Sequence, residues 1–114
     1  MSVSTVERIQ LLNAALGSRH ITNVDIRKIT LGPGQKAGRH LHPCPVVGYI
    51  ASGTAFYQIE GEPAELLPVG SAFYEPADKV IADFGNASDV THMTFLAFYL
   101  LDDNQELITM LDPK

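Results

Sequence analysis

The sequence has a single cysteine, Cys44, among its 114 residues. An intrachain disulfide is therefore excluded, and a lone cysteine suits a reducing compartment rather than a disulfide-stabilised secreted scaffold. The first seven residues also lack the basic start and the apolar run of a signal peptide. These absences predict a cytoplasmic protein. A free cysteine in such a protein usually packs as a small apolar side chain, so we expect Cys44 to be buried.

Clusters of basic residues are also missing, and so are apolar runs of transmembrane length. The chain has 8 lysines and arginines against 13 aspartates and glutamates, which gives a net charge of -5 at pH 7. A chain of this sign repels nucleic acids and anionic membranes, so neither is an expected partner. The expected partners are a small molecule and a second copy of the chain.

The length and the hydrophobic content of 46% fit one globular domain, which we expect to begin with a short helix. Ser4 and Glu7 have the spacing of a helix capping box. Apolar residues then recur on one helical face up to Gly17, namely Val6, Ile9, Leu12 and Leu16. Residues 1–22 are therefore predicted to form an N-terminal helix and arm.

From residue 23 onward, short alternating runs separated by turn residues replace the helical pattern. The first run, from Val24, stops at Gly32-Pro33-Gly34 as a strand closed by a turn should. Similar runs follow at 36–42, 46–52, 54–60, 64–67, 71–75, 79–84 and 91–101. Short strands with frequent turns and no intervening helices predict a mostly β sandwich or barrel over residues 23–114.

The segment from Phe95 to Leu101 is apolar at every position, so a strand there would be apolar on both faces. One face can fill the barrel, whereas the other needs cover from the N-terminal helix or from a second subunit. Closed dimers dominate among protein oligomers, and we favour a homodimer over a covered monomer.

Two histidines, His40 and His42, are separated by one residue. On a strand both imidazoles project from the same face, about 7 Å apart along the backbone. Two imidazoles that converge in a cavity can begin either a metal site or an acid/base site. We take this pair as the candidate catalytic and metal-binding residues.

The run Gly34-x5-His40-x-His42-x3-Val46-x6-Gly53 resembles the first motif of the cupin superfamily, except that Val46 stands at the glutamate of that motif. Gly70-x5-Pro76 opens like the second cupin motif, in which Ile81 stands at the histidine position. The resemblance extends from about Val24 to Leu101. It implies an RmlC-like cupin barrel, which is a double-stranded β-helix or jelly roll.

The resemblance also implies where a metal would be held. The usual cupin ligands are the two histidines and the glutamate of the first motif and the histidine of the second. His40 and His42 match two of these positions, whereas Val46 and Ile81 occupy the others and offer no lone pair. One divalent ion of Fe, Mn, Ni or Zn would therefore need a replacement ligand.

Three residues are candidates for that replacement. Asp83 lies two residues after Ile81 and shares its inward face if no bulge intervenes. Glu75 and His92 are weaker candidates, and for each of the three residues a structural or solvent-exposed role is the favoured alternative. Among these candidates, Asp83 is the one that we add to His40 and His42 as a candidate metal ligand.

The resemblance to the cupin motifs also indicates which residues line the cavity. Two apolar residues replace metal ligands, a glycine leaves space, and tyrosines add aromatic surface. The predicted lining residues are Val46, Gly48, Tyr49, Tyr57 and Ile81. Apolar walls beside a polar histidine pair suit a small, partly apolar organic ligand.

Three functions stay open at this point. In the leading hypothesis, His40 and His42 hold a metal ion that polarises a carbonyl group or activates oxygen or water. Alternatively, one of the histidines acts as the general base of a metal-independent epimerase or isomerase of the RmlC type. In the third hypothesis, the protein is a non-catalytic cupin that binds a small molecule.

Overall fold

Antiparallel strands form the regular structure of residues 5–113, the part of the chain that the computed structural model describes. Within this part the strands are β1 (Asn23–Leu31), β2 (His40–Leu41), β3 (Val46–Ser52), β4 (Ala55–Ile59), β5 (Glu65–Leu67), β6 (Ala72–Glu75), β7 (Ile81–Asn86), β8 (Met93–Leu101) and β9 (Thr109–Met110). The prediction of a mostly β fold is confirmed. The predicted runs match β1 and β3 to β8 to within two residues, whereas β2 is shorter and β9 was not predicted.

The strands pair into two sheets. The four-stranded sheet has the order β1-β8-β3-β6, and the five-stranded sheet has the order β5-β4-β7-β2-β9. Each of these strand pairs is antiparallel. The core includes the buried side chains of Leu31, Val46, Ile50, Phe73, Ile81, Phe84, Met93 and Phe95. One cluster of apolar side chains therefore holds the two sheets together.

Strand β8 lies between β1 and β3, and this position explains its uninterrupted apolar run. Its buried row consists of Met93, Phe95, Ala97, Tyr99 and Leu101. Its other row is half-buried and includes Leu96, Phe98 and Leu100. Val24 and Ile26 of β1 pair with this second row, as do Val47 and Tyr49 of β3. We call this surface the outer apolar face, formed by Val24, Ile26, Val47, Tyr49, Leu96, Phe98 and Leu100.

The prediction of an N-terminal helix is wrong. Residues 5–22 contain no helix, and Ser4 of the expected capping box lies outside the described residues. A non-helical arm lies beside the outer apolar face instead, and Ile9 and Leu12 line the groove between them. Isolated helices shorter than about 12–15 residues are marginal in water unless one face packs. Val6 and Ile9 are 72% and 71% exposed, so two of the four apolar side chains of the expected helical face are not packed.

In the same described part of the chain, no helix has the length and apolar character needed to cross a membrane.

Gly48 of β3 shows how neighbouring strands share the volume of the core. Its cross-strand partner is Phe73 of β6, and the Phe73 ring covers the position at which a larger side chain would project. A Cβ atom added to Gly48 would lie 2.1 Å from that ring. The space expected beside Gly48 is therefore already filled.

Gly48→Ala should destabilise the fold by about 1–3 kcal/mol, because the added methyl group must displace the Phe73 ring. The double variant Gly48→Ala/Phe73→Leu should lose less stability than the sum of the two single changes, since the smaller side chain leaves room for the methyl group. Denaturant unfolding of the four proteins measures this coupling. Strictly additive effects would contradict the proposed packing.

Candidate functional site

Strand pairing brings two histidines and one carboxylate to a single point inside the barrel. His40 lies on β2 and His42 follows this strand, and their ring centroids are 4.9 Å apart. Glu75 ends β6, opposite Val46 of β3. His40, His42 and Glu75 are only 2%, 4% and 4% exposed. We call these three residues the His-His-Glu cluster.

The cluster converges through atoms that carry lone pairs. Glu75 Oε2 contacts His42 Nε2 directly and lies 3.8 Å from His40 Nε2. One potential ligand atom from each residue lies within 4.8 Å of the others. Two imidazole nitrogens and one carboxylate oxygen are a donor set found around both Zn²⁺ and non-haem Fe²⁺. The residues present therefore fit a divalent ion.

Backbone carbonyl groups hold both imidazole rings in place. His40 Nδ1 donates to the Gly38 carbonyl at 2.7 Å, and His42 Nδ1 donates to the Leu107 carbonyl at 2.6 Å. A carbonyl oxygen can only accept, so each Nδ1 carries a hydrogen and each Nε2 is left to face Glu75. Outer contacts of this kind fix the tautomer and orientation of metal-binding histidines.

The electrostatics of the cluster favour a positive charge in spite of burial. Burial opposes protonation of His40, but the Glu75 carboxylate and the Gly38 carbonyl together raise the pKa of His40 above its ordinary value. Burial also opposes ionisation of Glu75, but hydrogen bonds from His40 and His42 hold the pKa of Glu75 below its ordinary value. An ionised, buried carboxylate stabilises a cation beside it, whether a proton or a metal ion.

The cluster lies in the wall of a cavity of about 200 Å³. The apolar part of this wall consists of Ile29, Leu31, Ala37, Val46, Phe73, Phe84, Phe95, Ala97 and Ile108. Tyr99 adds an aromatic ring whose centroid is 5.7 Å from that of His42. Burial and the charge of Glu75 raise the pKa of Tyr99, so its hydroxyl stays protonated at neutral pH. The cavity can therefore enclose a small organic molecule beside the cluster.

The structure places Asp83 outside this cluster. Asp83 pairs with Gln58 whereas Ile81 pairs with Ile59, so β7 contains a bulge between the two residues. A bulge inserts an extra residue and breaks the alternation of faces, so Asp83 does not share the inward face of Ile81. Its Oδ2 atom lies 3.5 Å from Lys36 Nζ, and both residues line a separate groove.

Three of the residues expected to line the cavity, Val46, Gly48 and Ile81, lie on the inside of the barrel. Val46 is in the cavity wall, at the rung that pairs with Glu75. Phe73 covers Gly48 and occupies the wall in its place. Ile81 is fully buried in the core.

The tyrosines and the remaining histidine lie elsewhere. Tyr49 belongs to the outer apolar face and is 36% exposed. Tyr57 is buried, and its hydroxyl donates to the Tyr74 carbonyl at 2.7 Å. This hydrogen bond satisfies the hydroxyl, so Tyr57 is a core residue. His92 is exposed in the turn before β8.

The third member of the cluster is Glu75, which the sequence offered only as a weaker candidate. The pairing of β3 with β6 is the signal that identifies it, because Glu75 lies beside Val46, where the cupin motif has its glutamate. The contributions of Leu107 and Ile108 were not foreseen. They belong to the segment that leads into β9, and a two-residue strand leaves no recognisable alternation.

A family model described as the cupin domain matches residues 27–99 of the chain. This match covers β3, β6 and most of β8 and includes all three residues of the His-His-Glu cluster. No curated protein matches the chain.

Several solved structures share the fold at low sequence identity. A cupin-like protein from Thermotoga maritima is 22% identical, with a TM-score of 0.69 over 80% of this chain and 66% of that one. The DMSP lyase DddQ from Ruegeria pomeroyi is 18% identical, with a TM-score of 0.68 over 80% and 44% of the two chains. An oxalate oxidase in complex with glycolate is 19% identical, with a TM-score of 0.66 over 77% and 46%. The chain thus spans less than half of either enzyme, and the similarity concerns the fold.

Both rings of the cluster should be protonated on Nδ1 in EDTA-treated protein at neutral pH, because each Nδ1 donates to a carbonyl oxygen. Long-range proton–nitrogen correlation spectra distinguish the imidazole tautomers. Exposed His92 serves as an internal control, because no carbonyl group among residues 5–113 anchors its ring in this way. A neutral His40 or His42 ring that carries its hydrogen on Nε2 alone would contradict the anchoring.

Proposed function

This chain belongs to the cupin domain family, and we propose that it is a cytoplasmic protein that binds a small organic molecule beside a divalent metal ion. The ion would be held by His40, His42 and Glu75. The observation that carries the proposal is the convergence of lone pairs from these three buried side chains. Cytoplasmic location fits the single free cysteine, Cys44, which is buried.

The need for a cation follows from the hydrogen-bond chemistry of the cluster. With both Nδ1 atoms occupied by carbonyl groups, the atoms that face one another are two Nε2 atoms and an ionised carboxylate. Lone pairs that meet in a buried site repel one another unless a proton or a metal ion lies between them. Three donors from protein side chains leave the remaining coordination positions of a divalent ion open to water or a ligand.

Each group in the cavity has a separate role in this proposal. The carbonyl groups of Gly38 and Leu107 hold the imidazole rings, and Glu75 supplies the negative charge that balances the ion. The apolar wall excludes water and holds the organic part of the ligand. An ion of Fe, Mn, Ni or Zn, when bound, supplies Lewis acidity for a carbonyl group or activates water or oxygen.

Glu75→Gln should weaken zinc binding by at least about 100-fold, since loss of an outer-shell partner alone costs about 10–100-fold and this change removes a ligand. Isothermal titration of EDTA-treated protein with zinc measures the affinity, and elemental analysis after purification without chelator measures the metal content. Zinc should also raise the unfolding temperature of the unsubstituted protein and leave that of Glu75→Gln unchanged.

Asp83→Asn is the matched control, because it removes a carboxylate that pairs with Lys36 instead of joining the cluster. This variant should bind zinc like the unsubstituted protein. Equal losses in Glu75→Gln and Asp83→Asn would place the site elsewhere. Absence of zinc binding together with an unchanged unfolding temperature would refute the metal site.

One contact favours a second candidate function that needs no metal. His42 Nε2 and Glu75 Oε2 are in direct contact, so the two groups can share a proton taken from a substrate. Such a pair can move a proton next to a carbonyl group in an isomerase or epimerase. The cavity offers less to a nucleotide-sugar substrate, because none of its described lining residues is a lysine or an arginine that would bind a diphosphate. A non-catalytic cupin would bind its ligand in the same cavity without turnover.

We further propose that the protein forms a homodimer through the arm and the outer apolar face. Val24 and Ile26 of this face are 53% and 58% exposed, and Ile9 of the arm is 71% exposed. The groove between the arm and its own face has a volume of about 520 Å³, so the arm does not fill it. A second copy would supply both a complementary apolar face and a second arm, and contiguous apolar surface of this kind marks interfaces.

The double variant Ile9→Glu/Ile26→Glu should be monomeric, because two charges would be buried in the interface. Size-exclusion chromatography with light scattering measures the mass in solution. Val90→Glu is the control, since Val90 is 83% exposed but lies in the turn before β8, away from the outer apolar face. A monomeric unsubstituted protein, or a double variant that stays dimeric, would contradict the proposed interface.

A further inference from the structure

We infer that the barrel cavity takes a ligand with an apolar body and one polar end, such as a small alcohol, amide or monocarboxylate, and does not take a small dicarboxylate. This inference rests on the proposal that the cavity is the functional site. It adds the chemical class of the ligand, which follows from how polarity, charge and space are distributed along the barrel.

The polar groups of the cavity lie at one level of the barrel. Val46 pairs with Glu75 on one side and with Tyr99 on the other, so these residues form a single rung across three strands. The two histidines contact this rung, because His42 Nε2 touches Glu75 and the His42 ring lies beside Tyr99. A ligand can therefore meet polar partners at this end of the cavity.

Aromatic rings form the other end. Phe95 lies four residues before Tyr99 in the buried row of β8, which places it roughly 13 Å along the strand. Its ring centroid is 4.7 Å from that of Phe84 and 6.0 Å from that of Phe73. Phe73 and Phe84 complete the triangle at 5.0 Å. These three rings offer apolar contact and no partner for a second charged group.

Three of the positively charged side chains near the barrel are paired outside the cavity. Arg27 donates to Asp25 at 2.7 and 3.1 Å. Arg39 donates to Glu60, and Lys36 lies beside Asp83. None of the described residues that line the cavity is a lysine or an arginine. A second carboxylate on a ligand would lose its water at the phenylalanine end and find no counter-charge there.

Ala97 keeps the space between the two ends open. It lies between Phe95 and Tyr99 in the buried row of β8 and is part of the cavity wall. A cavity of about 150 Å³ lined by apolar side chains binds benzene. The cavity of about 200 Å³ in this protein therefore has room for one small ring or a short aliphatic chain with a polar substituent.

The test compares hexanoate with succinate, which have equal numbers of non-hydrogen atoms, and includes benzyl alcohol as an uncharged probe. NMR titrations use the full chain after EDTA treatment and again after addition of zinc. Benzyl alcohol should bind in both states, and hexanoate should bind the zinc-loaded protein at least about tenfold more tightly than succinate, because only succinate carries a charge to the apolar end.

Ala97→Leu is the variant that tests the location, since its larger side chain fills the space between the two ends. It should weaken benzyl alcohol binding by about tenfold or more and leave zinc affinity unchanged, as expected when a pocket loses volume but keeps its polar end. Ala97→Val makes a smaller change in the same direction and serves if Ala97→Leu does not fold.

The possible outcomes distinguish failure of the inferred ligand class from failure of the proposed metal site. Equal or tighter binding of succinate, no binding of benzyl alcohol, or unchanged binding in the Ala97 variants would overturn the inferred ligand class even if zinc binds. Failure of zinc to bind while benzyl alcohol binds in an Ala97-dependent way would overturn the metal site and support the ligand class.

Discussion

The antiparallel pairing of β3 with β6 places Glu75 beside Val46, and the site depends on that register. Neighbouring strands lie about 4.8 Å apart, so a side chain on the next strand can reach the point that a longer side chain at Val46 would have reached. A slip of one residue in this pairing would turn Glu75 to the outer face of the sheet. The carboxylate of this chain therefore lies one strand away from the glutamate position of the cupin motif and still beside the two histidines.

The buried carboxylate explains several other features of the interior. Burial opposes the ionisation of Glu75, and hydrogen bonds from His40 and His42, whose rings are held by backbone carbonyl groups, offset that cost. The side chains around the cavity leave Glu75 only 4% exposed, and an electrostatic interaction is stronger where water has little access. The Phe73 ring, which packs over Gly48 and forms part of the cavity wall, therefore strengthens the interaction of Glu75 with the two histidines and also stabilises the fold.

The sequence predicted those features that depend on local pattern. Alternation located most strands, and the spacing from Gly34 to Gly53 located His40 and His42. The features that it did not predict depend on contacts between distant segments. The bulge that separates Asp83 from Ile81 arises from pairing with β4, and the choice of Glu75 arises from pairing with β3. The apolar spacing from Val6 to Leu16 matched a helix, but whether a helix forms depends on the surface that it meets.

The anchoring of His42 by Leu107 links residues 65 positions apart in the sequence. Its neighbour Ile108 forms part of the cavity wall, and Met110 pairs with His40 through β9. Contacts between such distant residues form late in folding, because the chain must first close a long loop. During synthesis, both histidines would therefore leave the ribosome long before the carbonyl group that orients one of them. The barrel shares this dependence, since Asn23 of β1 pairs with Leu101 of β8. The nascent chain would therefore be unable to hold a metal ion or ligand in the finished geometry until its C-terminal segment has been made.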